Sequence, residues 1–134
     1  MQPRVVIADD NPRIRECISE IIHSHCRIVG KANDGPGAIE AVLRHLPDVA
    51  LVDIFMPGLD GIQLAKRLCA LHANCKIVML TIVEDPDYVN AALEAGALSY
   101  VFKSRMVNDL LPAIHEAMAG RVFVSNHASR EPRN

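Results

Sequence analysis

A chain of 134 residues carrying 14 Lys and Arg against 16 Asp and Glu, net charge −2, is one domain's worth and long enough to bury a core. It offers no basic footprint for gripping a phosphate backbone, so this segment is not expected to bind DNA by itself. Apolar residues make up 50%, yet no apolar run approaches the roughly 20 residues of a membrane-spanning helix. Met1-Gln2-Pro3-Arg4 also lacks the apolar stretch of a secretory signal, and a cytoplasmic location is expected.

The first strand reads as Val5–Ala8 and runs out at Asp9-Asp10. Asn11 followed by Pro12 reads as a helix N-cap with proline at the first helical position. Behind it, Ile14, Ile18, Ile21 and Ile22 recur at helical spacing. A second strand is Arg27–Ala32, followed by a helix with Ile39, Val42, Leu43 and Leu46 on its apolar face. A third strand, Val49–Asp53, ends on another aspartate, and Ile62, Ala65, Leu68 and Cys69 mark the helix after it. The fourth strand, Ile77–Thr81, precedes a helix carrying Val89, Ala92 and Leu93. The fifth, Ser99–Phe102, precedes one with Leu110, Ile114, Ala117 and Met118. Gly96 and Gly120 fall where the last two helices should end on a left-handed residue.

Five strand–helix units with near-continuous apolar strands predict an α/β, doubly wound, five-stranded parallel sheet of the (βα)5 flavodoxin-like type, each helix packing on the sheet. A domain over residues 1–122 is expected, with 123–134 as a polar tail or the start of a linker; Val122-Phe123-Val124 extends or packs locally. The cysteines Cys17, Cys26, Cys69 and Cys75 form no Cys-x-x-Cys pair and read as free thiols. His23, His25 and Cys26, and His72 with Cys75, contain ligand-type residues without the two well-spaced pairs of a closed zinc site.

Ligands of such sheets bind at the carboxyl ends of the strands, where Asp9, Asp10 and Asp53 converge. Gathered carboxylates repel unless a cation lies between them, and Mg²⁺, a hard cation that keeps several waters, is the expected remedy. Thr81 and Lys103 close two further strands, adding a hydroxyl and an ammonium. A carboxylate can act as nucleophile toward a phosphoryl group, and such transfers need the charge on the equatorial oxygens neutralised. Taken singly, an Asp-Asp pair reads as a solvated turn, Thr81 as a strand residue and Lys103 as a surface charge; the joint pattern points to phosphate. Pro57-Gly58 with Asp60-Gly61 reads as a turn entering a helix.

The order Asp9-Asp10, Asp53-Ile-Phe-Met-Pro57-Gly58-Leu-Asp60-Gly61, Thr81 and Tyr100-Val-Phe-Lys103 resembles the receiver domain of two-component response regulators, over about residues 4 to 120. The resemblance implies that Asp53 accepts phosphate from a sensor histidine kinase. It also implies that Asp10 binds Mg²⁺ directly and Asp9 through water, with the Phe55 backbone carbonyl as a further ligand. Lys103 would pair with the phosphoryl group, Thr81 would swing in to hydrogen-bond it, and the Tyr100 ring would move inward; on its own Tyr100 reads as a half-exposed strand tyrosine. The face made by the fourth helix, the last strand and the fifth helix would then switch. Arg13, Arg15, Glu16 and Ser19 on the first helix are the exposed candidates for kinase docking, though exposed helical charges are usually a solvated face.

Four positions depart from the common pattern. Ile82 is bulky where many receivers are small and is expected to restrict access to the phosphoryl group. Phe55 and Val83 are apolar where polar side chains often help position a hydrolytic water, which implies slow self-dephosphorylation. Ser104 stands where proline is frequent, so the Lys103-Ser104 bond is trans or the loop is strained. The start Val-Val-Ile-Ala-Asp-Asp-Asn-Pro, the Lys-Ser junction and the close Ala-Met-Ala-Gly-Arg-Val-Phe-Val-Ser resemble regulators of the NarL/FixJ type, in which a DNA-binding domain absent from this chain follows the linker. That implies transcription regulation, with a homodimer possible on phosphorylation. The alternatives are a single-domain receiver acting by phosphotransfer or docking, a pseudo-receiver, and an aspartate-nucleophile phosphatase. The last commonly wants a second acid two residues after the nucleophile, where Phe55 stands.

Overall fold

The computed structural model describes residues 2–71 and 74–126. Its elements alternate as expected: β1 (Arg4–Ala8), α1 (Pro12–Ile22), β2 (Arg27–Ala32), α2 (Gly35–His45), β3 (Val49–Val52), α3 (Gly61–Ala70), β4 (Lys76–Thr81), α4 (Pro86–Glu94), β5 (Ser99–Phe102), α5 (Met106–Met118) and β6 (Phe123–Val124). The sheet order is β2-β1-β3-β4-β5-β6, and every pairing is parallel. It is a doubly wound α/β sandwich. The strand order reverses between β1 and β3, which opens a crevice at their carboxyl ends.

Alternation along the strands divides the core in two. Val5, Ile7, Val49, Leu51, Val78, Leu80 and Val101 pack with Ile18 and Ile22 of α1 and with Leu110 and Ile114 of α5. Val6, Ala8, Ala50, Val52, Ile77, Met79, Tyr100 and Phe102 face the other way, onto α2, α3 and α4. Because side chains switch faces at every residue, α4 and Tyr100 share a layer while α5 lies across the sheet.

The helix starts are set by side-chain caps. Asn11 accepts from the N–H groups of Arg13 and Ile14, Asp34 from Gly37, Asp60 from Gln63 and Asp85 from Asp87, each satisfying donors the first turn leaves orphaned. Gly96 and Gly120 are left-handed as expected, at φ 112 and 76.

Three differences from the sequence reading have physical causes. The sheet carries a sixth strand, because Phe123 and Val124 pair with Ser99 and Tyr100 on the edge that five strands would have left open. Phe123, Val124 and the buried Ser125 are therefore held against the domain beyond Val122. Leu43 and Leu46, expected on the packed face of α2, are 47% and 69% exposed; Leu46 is the left-handed cap, φ 48, and leaves the helical phase. Met118 and Cys69, also assigned to packed faces, are exposed because Ala113, Ile114 and Ala117 already cover the sheet from α5, as Leu64, Ala65 and Leu68 do from α3. All peptide bonds among the described residues are trans, and residues 103 to 105 form one 3-10 turn.

Candidate functional site

Parallel register brings the acids together. β1 and β3 pair residue for residue, Ala8 opposite Val52, so Asp9 and Asp53 leave adjacent strands at the same level. The Asp9 N–H donates to the Ala32 carbonyl at 3.1 Å and the Asp53 N–H to the Ala8 carbonyl at 3.0 Å, which fixes both Cα positions. Asp10 follows one residue later, and one carboxylate oxygen from each of Asp9, Asp10 and Asp53 lies within 4.8 Å of the others. Asp9 and Asp53 are 2% and 7% exposed, while Asp10 faces solvent.

Lys103 closes the cluster. Its Nζ lies 2.8 Å from Asp9 Oδ2 and 3.0 Å from Asp53 Oδ2. Burial alone would lower the pKa of this ammonium, but its hydrogen bonds to Asp9 and Asp53, together with their charges, hold it above the ordinary value. The remaining Asp9 and Asp53 oxygens are steadied locally: Asp9 Oδ1 accepts the Asn11 N–H at 2.9 Å, and Asp53 Oδ1 faces the Phe55 N–H at 3.4 Å. Three carboxylates facing one ammonium leave the cluster with a formal surplus of two negative charges. That charge and the all-oxygen donor set suit a hard divalent cation.

The loop after β3 is shaped to keep this site compact. Gly58 sits at φ 85, a region that L side chains seldom adopt. A methyl group on Gly61 would collide with the Asp53 carbonyl oxygen and the Ile54 Cα. The glycines let α3 begin directly beside the acids, and the turn role expected of Pro57-Gly58 and Asp60-Gly61 is the one they fill.

Thr81 ends β4 fully buried, and its Oγ1 accepts the Val83 N–H at 3.3 Å. Tyr100 is not a half-exposed strand tyrosine: it is fully buried, its ring already inward, and its hydroxyl donates to the Val83 carbonyl at 2.6 Å. Burial, followed by the charges of Asp53 and Asp85, pushes its pKa far up. Both side chains thus hold the same residue, Val83, in the loop before α4. Ile82 is 73% exposed and Phe55 51%, with Phe55 edge-on to Tyr88 at 6.2 Å between ring centroids. Ser104 donates to Glu84 Oε2 at 2.9 Å.

The four docking candidates divide. Arg13 and Glu16 are exposed, whereas Arg15 and Ser19 are half-buried, because Arg15 Nη1 reaches back to the Asp9 carbonyl at 2.6 Å and Ser19 Oγ donates to the Arg15 carbonyl at 2.8 Å. No sequence signal singled out Arg15 as a brace for Asp9. The basic residue one helical turn after the acid pair was the only trace of it. Among the described residues the three aspartates are the only group of His, Cys, Asp or Glu gathered closely enough to hold a metal. His23, His25 and Cys26 are not so gathered, and the pairing of His72 with Cys75 lies outside the described residues. All four cysteines are free, with burial pushing the Cys75 thiol up to about 11.

Residues 5–115 match the family model of the response regulator receiver domain. The chain belongs to that family. As a receiver it is a signalling domain and no classical enzyme beyond its own phosphorylation chemistry. It is similar to the transcriptional regulatory protein LiaR of Bacillus subtilis, 34% identical over 119 residues that span 87% of this chain and 56% of LiaR. Among solved structures it resembles the signal receiver domain of NarL from Mycobacterium tuberculosis, 33% identical with a TM-score of 0.86, covering 90% of this chain and 98% of that one. It also resembles a LuxR-family response regulator from Aurantimonas sp. SI85-9A1, 28% identical with a TM-score of 0.90, covering 98% and 95%. The receiver is thus related to regulators of the NarL and LuxR type, and it spans about half the length of the curated relatives it matches. No described helix is long and apolar enough to cross a membrane.

Proposed function

We propose that this receiver takes a phosphoryl group on Asp53 from the phosphohistidine of a sensor kinase and, so loaded, changes the face made by α4, β5 and α5. The observation that carries this reading is the bridging of Asp9 and Asp53 by Lys103 beside the exposed Asp10. An Asp53 carboxylate oxygen attacks phosphorus, the bond from phosphorus to the donor nitrogen breaks, and that electron pair stays on the imidazole. Asp9 and Asp53 are held rigidly from strand ends, so little reorganisation accompanies the transfer. Lys103 already touches Asp53 and shifts toward the new oxygens, neutralising charge as they arrive.

Asp10, Asp9 through water, Asp53 and the Phe55 backbone carbonyl would hold Mg²⁺. When bound, it supplies positive charge to the phosphoryl oxygens. Thr81 gives up its contact with Val83 to donate its hydroxyl to the phosphoryl group, and Tyr100, bonded to the same Val83, follows the loop. Turning a 1:99 population into 99:1 takes about 5.5 kcal/mol of differential contact, which two or three charge-assisted hydrogen bonds of about 1.5–3 kcal/mol supply. The kinase docks around the exposed Arg13 and Glu16 of α1. The polar stretch of sequence from Ser125 onward begins a linker to a DNA-binding domain absent from this chain, so that cytoplasmic phosphorylation, with a homodimer as its product, regulates transcription.

The test is incubation with Mg²⁺ and a small acyl-phosphate donor, read by intact mass. One phosphoryl increment, lost in Asp53→Asn and in chelator, is expected. Continuous release of inorganic phosphate without a stable adduct would mean a phosphatase instead.

A further inference from the structure

The end of the described chain closes on the strand that carries Tyr100 and leads into Lys103. Beyond the pairing of Phe123 and Val124 with Ser99 and Tyr100, the Phe123 N–H donates to the Leu98 carbonyl at 3.1 Å and the Ser125 N–H to the Tyr100 carbonyl at 2.9 Å. Two residues are a meagre strand. The Ser125 side chain adds the remainder. Its oxygen accepts the Phe102 N–H at 3.1 Å while its proton goes to Asp109 Oδ2 at 2.7 Å. Asp109 is gripped in turn by Arg105, Nε to Oδ2 at 3.2 Å and Nη2 to Oδ1 at 3.1 Å. Ser125 and Asp109 are only 4% and 7% exposed, so this is a buried, charge-assisted network with its donors and acceptors matched.

The 3-10 turn Lys103–Arg105 is therefore anchored twice. Lys103 enters the acid cluster, and Arg105 holds the carboxylate that Ser125 also holds. Phe102, whose N–H Ser125 accepts, lies opposite Thr81 in the sheet and immediately precedes Lys103. Resting on the phosphoacceptor reading, we infer that Ser125 and Asp109 are positioning residues for Lys103, and that the segment 123–126 is a clasp coupled to the state of Asp53. Fixing the end of β5 sets how far the ammonium reaches, so the clasped arrangement favours a phosphoryl group on Asp53. Linkage then requires the phosphoryl group to favour the clasp by the same factor.

The experiment titrates Mg²⁺ with fluoroberyllate, a non-covalent mimic of the phosphoryl group, into the full chain by calorimetry, alongside amide hydrogen exchange. Ser125→Ala is expected to weaken binding about fivefold, Asp109→Asn to weaken it in the same direction, and Ser125→Thr to restore it to within about twofold. Saturation of the native chain raises protection of the Phe102 and Ser125 amides about fivefold, and does not in Ser125→Ala. A merely structural serine would lower the melting temperature and leave both readouts where they were. Native affinity in Ser125→Ala with unaltered exchange overturns the clasp while the phosphoacceptor reading stands. No binding by the native chain overturns both. Asp109→Asn keeps the side-chain shape, so the binding comparison holds even if Ser125→Ala fails to fold.

Discussion

Replacing Lys103 by methionine separates what the ammonium does for the fold from what it does for the phosphoryl group. Nζ contacts Asp9 at 2.8 Å and Asp53 at 3.0 Å with 14% of the side chain exposed. At an effective dielectric of about 20, each contact is worth roughly 5–6 kcal/mol of gross attraction. Much of that is offset by desolvating the ammonium, and removing one partner of a buried pair typically costs about 3–5 kcal/mol. With Asp10 open to water, about 2–3 kcal/mol is the expected loss for Lys103→Met in chelator, by urea denaturation. Because the ammonium no longer competes for the same oxygens, the variant should bind Mg²⁺ more tightly than the native chain, gaining about 2.7 kcal/mol at a hundredfold excess over Kd. Phosphorylation should nevertheless be slower. The pH arm has a definite sign: the folded pKa is raised above 10.5, so this contribution is fully present below the ordinary value and lost as pH rises through the folded one. The stability gap between native and variant should hold through neutral pH and close only beyond about pH 10.5. Equal stability of the two chains in chelator, or no response of either to Mg²⁺, would refute the reasoning.

Gly61→Ala should cost about 2–4 kcal/mol by urea denaturation, since its methyl meets backbone rather than a side chain that can give way; a loss under about 0.5 kcal/mol would mean α3 starts elsewhere. Tyr100→Phe should lose about 1 kcal/mol by denaturation, because the 2.6 Å bond to Val83 disappears and leaves a carbonyl short of a donor. Phe55→Asn should shorten the phosphoprotein half-life about tenfold by giving a water a polar partner beside Asp53, followed by the decay of the phosphorylated mass.

Strand ends were legible because their cause is local. Val49-Ala50-Leu51-Val52 is apolar on both faces, as only a central parallel strand must be, and Asp53 interrupts it where the strand stops. The caps at Asn11, Gly96 and Gly120 were legible for the same reason. β6 was not, because two residues carry no periodicity and their strand state is set by the free edge of β5. Leu46 was misplaced since nothing local announces a left-handed leucine. Arg15 on the Asp9 carbonyl and Ser125 on Asp109 are tertiary facts, the latter joining residues 16 apart, and no spacing rule anticipates them. The acid site sits between these extremes: its residue types were readable one strand at a time, and their convergence required only the register of β1 with β3.

The central claim is tested most directly by locating the phosphoryl bond. Borohydride reduces an acyl phosphate to the alcohol, so the chain treated with acyl-phosphate donor and Mg²⁺, then reduced and digested, should yield homoserine at position 53 alone. Homoserine at Asp9 or Asp10, phosphate on a serine or threonine, or an unmodified Asp53 under those conditions would contradict it.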